Sequence, residues 1–233
     1  ISHDPGLDRI PQSMDLNFHV QQGTWSISRF LGGFGAGMDW CLRQCYAVGD
    51  RIEYETLERE CSDAFSSIRD VERRPLCIPL SGSGQLTKAG NCGGYWGMRR
   101  HHGREDMVLA LMDGAAFELR WALETLEKSG FRLRRLLMVG GAVKNRHWPR
   151  IVADVTGLET RLIDYSHGPA LGAALLAATA SGLYDSADAA AEVFAVDYRE
   201  LHPRGEFHEA YGKKFSDYRR FVRMSEELPV IQE

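Results

Sequence analysis

The sequence predicts an α/β domain built as a mixed sheet flanked by helices, and three observations carry that prediction. The second half alternates in pattern, running helix, strand, helix, strand, helix, the order of parallel strands joined by crossovers. Near the start, two strand-like runs, Phe18 to Val20 and Trp25 to Arg29, flank a Gln-Gln-Gly turn, which suits an antiparallel edge on that sheet. Of the 233 residues, 44% are hydrophobic and 26% charged, enough apolar material for a packed core and too much for disorder.

Taken in order, residues 1–17 read as an irregular segment, broken by Pro5, Gly6 and Pro11. The folded domain is expected over 18–233. Gly32, Gly33, Gly35 and Gly37 form a loop that opens a helix reaching Val48, with Met38, Cys41, Leu42 and Cys45 on its apolar face. A second helix is expected from Tyr54 to Phe65, with Leu57, Cys61, Ala64 and Phe65 inward, then a buried strand from Leu76 to Leu80. Residues 81–104 are rich in Gly, Ser and Asn and read as a long loop of the kind that often carries function. Glu105 to Lys128 is a long amphipathic helix stopped by Gly130. Leu136 to Val139 has strand length and is broken by Gly140-Gly141. The next helix, from about Arg146 to Thr156, places Trp148, Ile151, Val152 and Val155 on one face. A strand from Glu159 to Asp164 follows. Gly168-Pro169 then opens a helix to Ser181, and an amphipathic helix from Glu206 to Met224 is expected on the outside of the domain.

Composition excludes several classes. Net charge is −4, and the basic clusters Arg73-Arg74, Arg99 to His102 and Arg134-Arg135 are short, each read as a solvated edge, so no nucleic-acid partner is expected. No apolar run reaches the ~20 residues of a membrane helix, so no membrane partner is expected. The opening Ser2 to Asp8 is polar and unlike a signal peptide. The chain begins with Ile1 rather than Met, as a fragment or cleaved product would. Cys41, Cys45, Cys61, Cys77 and Cys92 form no CxxC pair and read as reduced thiols of a cytoplasmic protein, with no metal ligands.

The stretch that carries chemistry is Leu136-Leu-Met-Val-Gly-Gly-Ala-Val-Lys-Asn145. A buried strand ends in two glycines and a helix follows, so the backbone can approach a ligand closely and the helix start can face an anion. That suits a nucleotide phosphate, with Asn145 as helix cap or ligand contact. A plain strand-to-helix turn uses the same residues. The stretch contains neither GxGxxG nor the Gly-Lys-Ser/Thr of a P-loop, which disfavours a dinucleotide-binding oxidoreductase. Downstream, Ala170, Gly172, Ala173 and Ala174 permit close backbone approach; that helix can press on a neighbour or border a nucleotide cleft. Among other groups, Asp154 reads as a solvated helix carboxylate, Asp113 as a cleft, cap or surface residue, His101-His102 as loop histidines, and Glu118 and Arg120 as facing water.

Together, Val139-Gly-Gly-Ala-Val-Lys-Asn-Arg-His-Trp148, Ile151-Val-Ala-Asp-Val-Thr-Gly157 and Gly168-Pro-Ala-Leu-Gly-Ala-Ala-Leu-Leu-Ala177 resemble the nucleotide-binding end of the FGGY carbohydrate kinases, xylulokinases above all. Upstream, Gly93-Gly-Tyr-Trp-Gly-Met98, Asp106-Met-Val-Leu-Ala110 and Asp113-Gly-Ala-Ala-Phe117 resemble the same family's C-terminal signature. The likeness spans about 18–223. It implies a ribonuclease H-like, actin-like ATPase domain, one of two that flank a cleft. The family's ATP lies mostly on the C-terminal domain, with Mg2+ among the phosphates. Its sugar and catalytic base belong to the N-terminal domain, so no catalytic residue is expected in this chain. By the resemblance, Gly141 and Asn145 contact nucleotide, Gly140 shapes the turn, Ala142 borders adenine or ribose, and Gly93 approaches from across the cleft. The implied substrate is a ketose or polyol, and the implied partner is the N-terminal domain, absent from this chain, which alone should be inactive. A homodimer stays open. One departure is Ser81-Gly-Ser-Gly-Gln85, where the family has arginine and proline after a Ser-Gly pair. The rival reading is a non-catalytic actin-like module that binds nucleotide or a partner.

Overall fold

The computed structural model describes residues 6, 9–21, 23–79, 93–164, 168–193, 197–225 and 227. The chain opens with an antiparallel hairpin, β1 (Asp15–Phe18) and β2 (Trp25–Ser28), in which Phe18 faces Trp25 with ring centroids 4.4 Å apart. β1 starts three residues ahead of the expected domain boundary, where Asp15 pairs with Ser28, and Thr24 closes the turn through its own N–H and hydroxyl, both donated to the Gln21 carbonyl. Helix α1 (Phe34–Tyr46) follows, then a minimal hairpin of β3 (Ala47–Val48) and β4 (Arg51–Ile52), helix α2 (Tyr54–Asp63) and the short helix α3 (Ile68–Arg73). Ser67 and Asp70 form a capping box at the start of α3. The expected Leu76 to Leu80 strand is β5 (Leu76–Ile78), paired antiparallel with β6 (Gly94–Trp96). Leu80, Cys92 and the Ser81 to Gln85 departure lie outside the described residues.

Helix α4 (Arg104–Lys128) is the axis of the core. Val108 to Glu118 is buried without interruption, so the helix is covered on several sides along that stretch rather than on one stripe. Gly114 permits this: a Cβ there would collide with the Cys77 carbonyl of β5. Strand β7 (Leu136–Val139) leads through a 3-10 turn (Gly141–Lys144) into α5 (Trp148–Thr156), then β8 (Thr160–Ile163), α6 (Gly168–Ala180), α7 (Ala187–Glu192), β9 (Arg199–Leu201) and α8 (Gly205–Ser225). The sheet order is β7-β8-β9, with β8 parallel to β7 and β9 antiparallel to β8. The expected parallel component is present. Among the described residues the β1–β2 hairpin is a separate two-stranded sheet, not an edge of β7-β8-β9.

Helices α1, α2, α4, α5 and α8 and strand β5 share one hydrophobic cluster. α8 was expected outside the domain, yet Tyr211, Phe215 and Tyr218 are at most 3% exposed and stack on Phe117 of α4 at 6.1, 5.7 and 5.1 Å. Aromatic residues at four- and three-residue spacing fill the space over α4, and only the opposite face of α8 meets water. Among the described residues, no helix is long and apolar enough to cross a membrane.

Candidate functional site

β7 and β8 run parallel with Val139 beside Ile163, so both strands end at the same edge of the sheet. In open α/β sheets that edge is where ligands bind. Gly140 leaves β7 with φ +88°, a backbone angle that side chains with a Cβ rarely adopt. The chain then tightens into the 3-10 turn, where Val143 N–H donates to Gly140 and Asn145 N–H donates to Ala142, each at 3.2 Å. Val143 is buried and anchors the turn, while Gly140 and Gly141 are exposed. Among the described residues, a Cβ built on either glycine would meet no atom within 4 Å. The corner is therefore open. The first N–H groups of such a turn find no partner within it and are available to an anion.

Asn145 closes the turn that leads into α5. Its Oδ1 accepts from the backbone N–H of His147 at 2.9 Å and of Trp148 at 2.8 Å, and Pro149 follows in the first turn of α5. His147 is buried beside Phe65, their rings edge to face at 6.1 Å. Its Nε2 lies 3.4 Å from Glu58 Oε2, too poorly aligned to count as a hydrogen bond. Burial lowers its pKa against the pull of Glu58, so the ring is read as neutral. Helix α6 starts five residues after Ile163.

The structure thus brings Gly140, Gly141, Ala142 and Asn145 into one turn, with Ala142 half-buried. Gly93 is exposed and stands just before β6, whose sheet is separate from that of β7. A cavity of about 700 Å³ lies elsewhere, lined by Glu72, Arg73, Pro75, Trp96, Arg99 and others, and none of the turn residues borders it. The turn is an open wall rather than a closed pocket.

Four sequence expectations are corrected by burial. Asp154 is fully buried, because Arg204 donates to it from its backbone N–H, Nε and Nη2 at 2.8, 3.0 and 2.6 Å. Glu118 is 0% exposed and accepts from the Tyr218 hydroxyl at 2.7 Å. Arg120 is mostly covered, with Nη1 donating to the Val155 carbonyl at 3.1 Å. Arg74, expected at a solvated edge, is 3% exposed and pairs with Asp113 at 3.0 Å. Asp113 also accepts from Tyr211 and Lys214, each at 2.9 Å, so it belongs to a buried ion cluster and not to the turn. Burial pushes Lys214 down to about 8 against the pull of Asp113. Asp154 and Glu118 meet their partners, Arg204 and Tyr218, 50 and 100 residues along the chain, and the Arg74–Asp113 pair spans 39 residues, so local sequence gave no signal of them. The expected His101-His102 loop is observed, with His102 bridging the Arg99 N–H and the Arg73 carbonyl.

Comparison with known proteins carries this geometry to a class. Residues 13–181 match the model of the FGGY family of carbohydrate kinases, C-terminal domain. Xylulose kinase of Staphylococcus epidermidis is 24% identical over 93% of this chain and 43% of its own length. Glycerol kinase of Symbiobacterium thermophilum is 31% identical over 65% of the chain and 35% of its own length. Among solved structures, xylulose kinase from Rhodospirillum rubrum superposes with a TM-score of 0.79 at 19% identity, covering 92% of this chain and 42% of that one. Glycerol kinase from Plasmodium falciparum with ADP gives 0.67 at 20% identity, covering 90% and 39%. The fold is the actin-like, mixed α/β one that the sequence resemblance implied. The chain belongs to the FGGY family of carbohydrate kinases, as its C-terminal domain. It spans about two fifths of the length of the relatives it matches.

Proposed function

We propose that the chain is the ATP-binding half of a sugar kinase, which moves the γ-phosphoryl group of ATP to a hydroxyl of a ketose or polyol, xylulose among them. The observation that carries this reading is the open glycine turn at the C-terminal edge of a parallel strand pair, in a chain of this family. Names of relatives point the same way: xylulose kinase, glycerol kinase and ribulokinase.

Phosphoryl transfer asks a protein for positioning and for neutralisation of charge. In this reading, Gly140 bends the chain so that the N–H groups of Gly141 and Ala142 face the phosphates. The absence of Cβ atoms on the two glycines leaves the volume a phosphate would fill. Asn145 holds α5 in place behind them. Gly93 would line the opposite wall of the cleft. The bound nucleotide supplies the group transferred. Among the described residues, no three His, Cys, Asp or Glu side chains gather as a metal cluster. Magnesium in this reading travels with the ATP phosphates, as it does in many phosphoryl-transfer sites. The general base and the sugar contacts belong to the other half of the kinase, and a cytoplasmic location accords with the use of ATP.

The test is a coupled ADP-release assay with a panel of ketoses and polyols. The chain by itself should give no sugar-dependent turnover, and addition of the polypeptide encoded upstream of it should restore turnover. Robust turnover by the chain alone, or none with both halves present, would contradict the reading.

A further inference from the structure

Two hollows adjoin where the end of α3, the start of β5, the end of β6 and the last turns of α8 meet. The larger, of about 700 Å³, is bordered by Arg73, Arg99 and His101 among others, and the smaller, of about 330 Å³, by Arg220, Phe221 and Met224 among others. Leu76 and Trp96 border both, so the two form one groove. Hollows of about 300–1,000 Å³ suit small molecules. No residue of the glycine turn borders the groove.

One end of the groove is apolar and the other cationic. Trp96 is 56% exposed, and its ring rests on Phe221 with centroids 5.5 Å apart. Leu76 and Met224 complete that end. An exposed indole backed in this way offers a face on which another ring can stack. Arg73 and Arg99 stand in the larger hollow and Arg220 on the α8 wall, all three exposed. Among the described residues, no ion pair or hydrogen bond engages their guanidiniums. By contrast, Arg74, Arg104 and Arg204 are each committed to a carboxylate. Glu72 and Asp217 also border the groove, so its charge is positive but not uniform.

The cationic end has a scaffold. His102 Nδ1 accepts from the Arg99 N–H at 2.9 Å, which leaves the ring proton on Nε2 to donate to the Arg73 carbonyl at 3.0 Å. One imidazole thus joins the two arginine-bearing segments. Gly97, at φ +83°, turns the chain out of β6 toward Arg99. Beneath the groove, Asp113 accepts from Arg74, next to Arg73, and from Lys214 of α8, so one buried carboxylate ties both walls.

We infer that this groove binds a small molecule that joins a flat ring to a phosphate or carboxylate group, with the ring on Trp96 and the oxyanion between Arg73 and Arg99. Guanidinium forks match either oxyanion. Glu72 and Asp217 can accept from hydroxyl groups of the same ligand. A nucleic acid fits less well, because it asks for a longer basic track and these two carboxylates interrupt this one. The inference stands apart from the sugar-kinase reading, since the glycine turn has no part in it.

Calorimetric titration of naphthyl phosphate and of naphthoate into this chain tests it, with naphthol and inorganic phosphate as half-ligands. At least one of the two whole probes should bind at least tenfold more tightly than either half-ligand, and the tighter probe identifies the oxyanion. Arg99→Ala, at an exposed side chain, should weaken that probe at least tenfold with an unchanged melting temperature. Trp96→Ala should weaken it to a similar degree. Gly141→Trp should bind it as wild type does, which separates this groove from the nucleotide turn. Failure of both probes, equal binding by Arg99→Ala, or loss of binding in Gly141→Trp each overturns the inference.

Discussion

Two residues that looked alike in sequence, each polar and at the edge of a motif, do different work. Asn145 closes the turn into α5 by accepting two backbone N–H groups, and its replacement by Ala should cost about 1 kcal/mol, read from the denaturant midpoint. Asp113 neutralises two buried cations, Arg74 and Lys214, and accepts from Tyr211. Asp113→Ala leaves both cations buried without a counter-ion, and about 3–5 kcal/mol of lost stability is expected. Lys214→Met keeps the Arg74–Asp113 pair and should cost far less. Equal losses in the two variants would show that the cluster is not held together by the carboxylate.

At the scale of elements, α4 is long and buried because Gly114 lets it cross β5 at backbone distance. Gly114→Ala sets a methyl group against the Cys77 carbonyl, which belongs to a strand and cannot swing away. About 1–3 kcal/mol of destabilisation is expected in chemical denaturation, although Ala is the better helix former. Elements with strong local periodicity were legible in the sequence: α2, α4, α5 and the β7–β8 pair lie within a few residues of their expected bounds. The glycine turn was legible too, because Gly140-Gly141 interrupts an apolar run of strand length. α3, α7 and β9 are six residues or fewer, too short to show a period. The buried roles of Arg74, Asp154, Glu118 and Arg120 were hidden for a different reason. A charged residue reads as solvated unless its partner is known, and the partners of Asp154, Glu118 and Arg74 (Arg204, Tyr218 and Asp113) lie far from them in sequence. The inner face of α8 was misjudged with them, since its Tyr hydroxyls and Lys214 look polar until Asp113 and Glu118 are placed opposite.

For the whole molecule, the ion cluster gives stability a pH dependence with a definite sign. Lys214 titrates at about 8 in the folded state and at about 10.4 in an unfolded chain. Between those values the unfolded chain holds more protons, so this residue makes stability rise with pH from about 8, and below about 8 its full penalty is present. Cys61 and Cys77, both pushed up to about 12 by burial, act in the opposite sense above about pH 9. The difference between wild type and Lys214→Met isolates the lysine: it should shift in favour of wild type from pH 7.5 to pH 9, and a pH-independent difference would contradict the cluster's electrostatics. At the acid end, hydrogen bonds from Arg104 hold Glu60 down to about 2. Its contribution is present above about pH 4.3 and is lost as pH falls toward 2, an acid loss that Glu60→Gln should lack.

The same scale joins fold to function. A core packed around α4 backs the sheet whose edge presents the glycine turn. Titration of ATP with magnesium into this chain, wild type against Gly141→Trp, tests the central claim most directly. Gly141 is exposed with open space around it, so the indole should leave the melting temperature unchanged while filling the corner. Wild type should bind nucleotide and Gly141→Trp at least tenfold more weakly. Identical binding by the two would take the turn out of the nucleotide site.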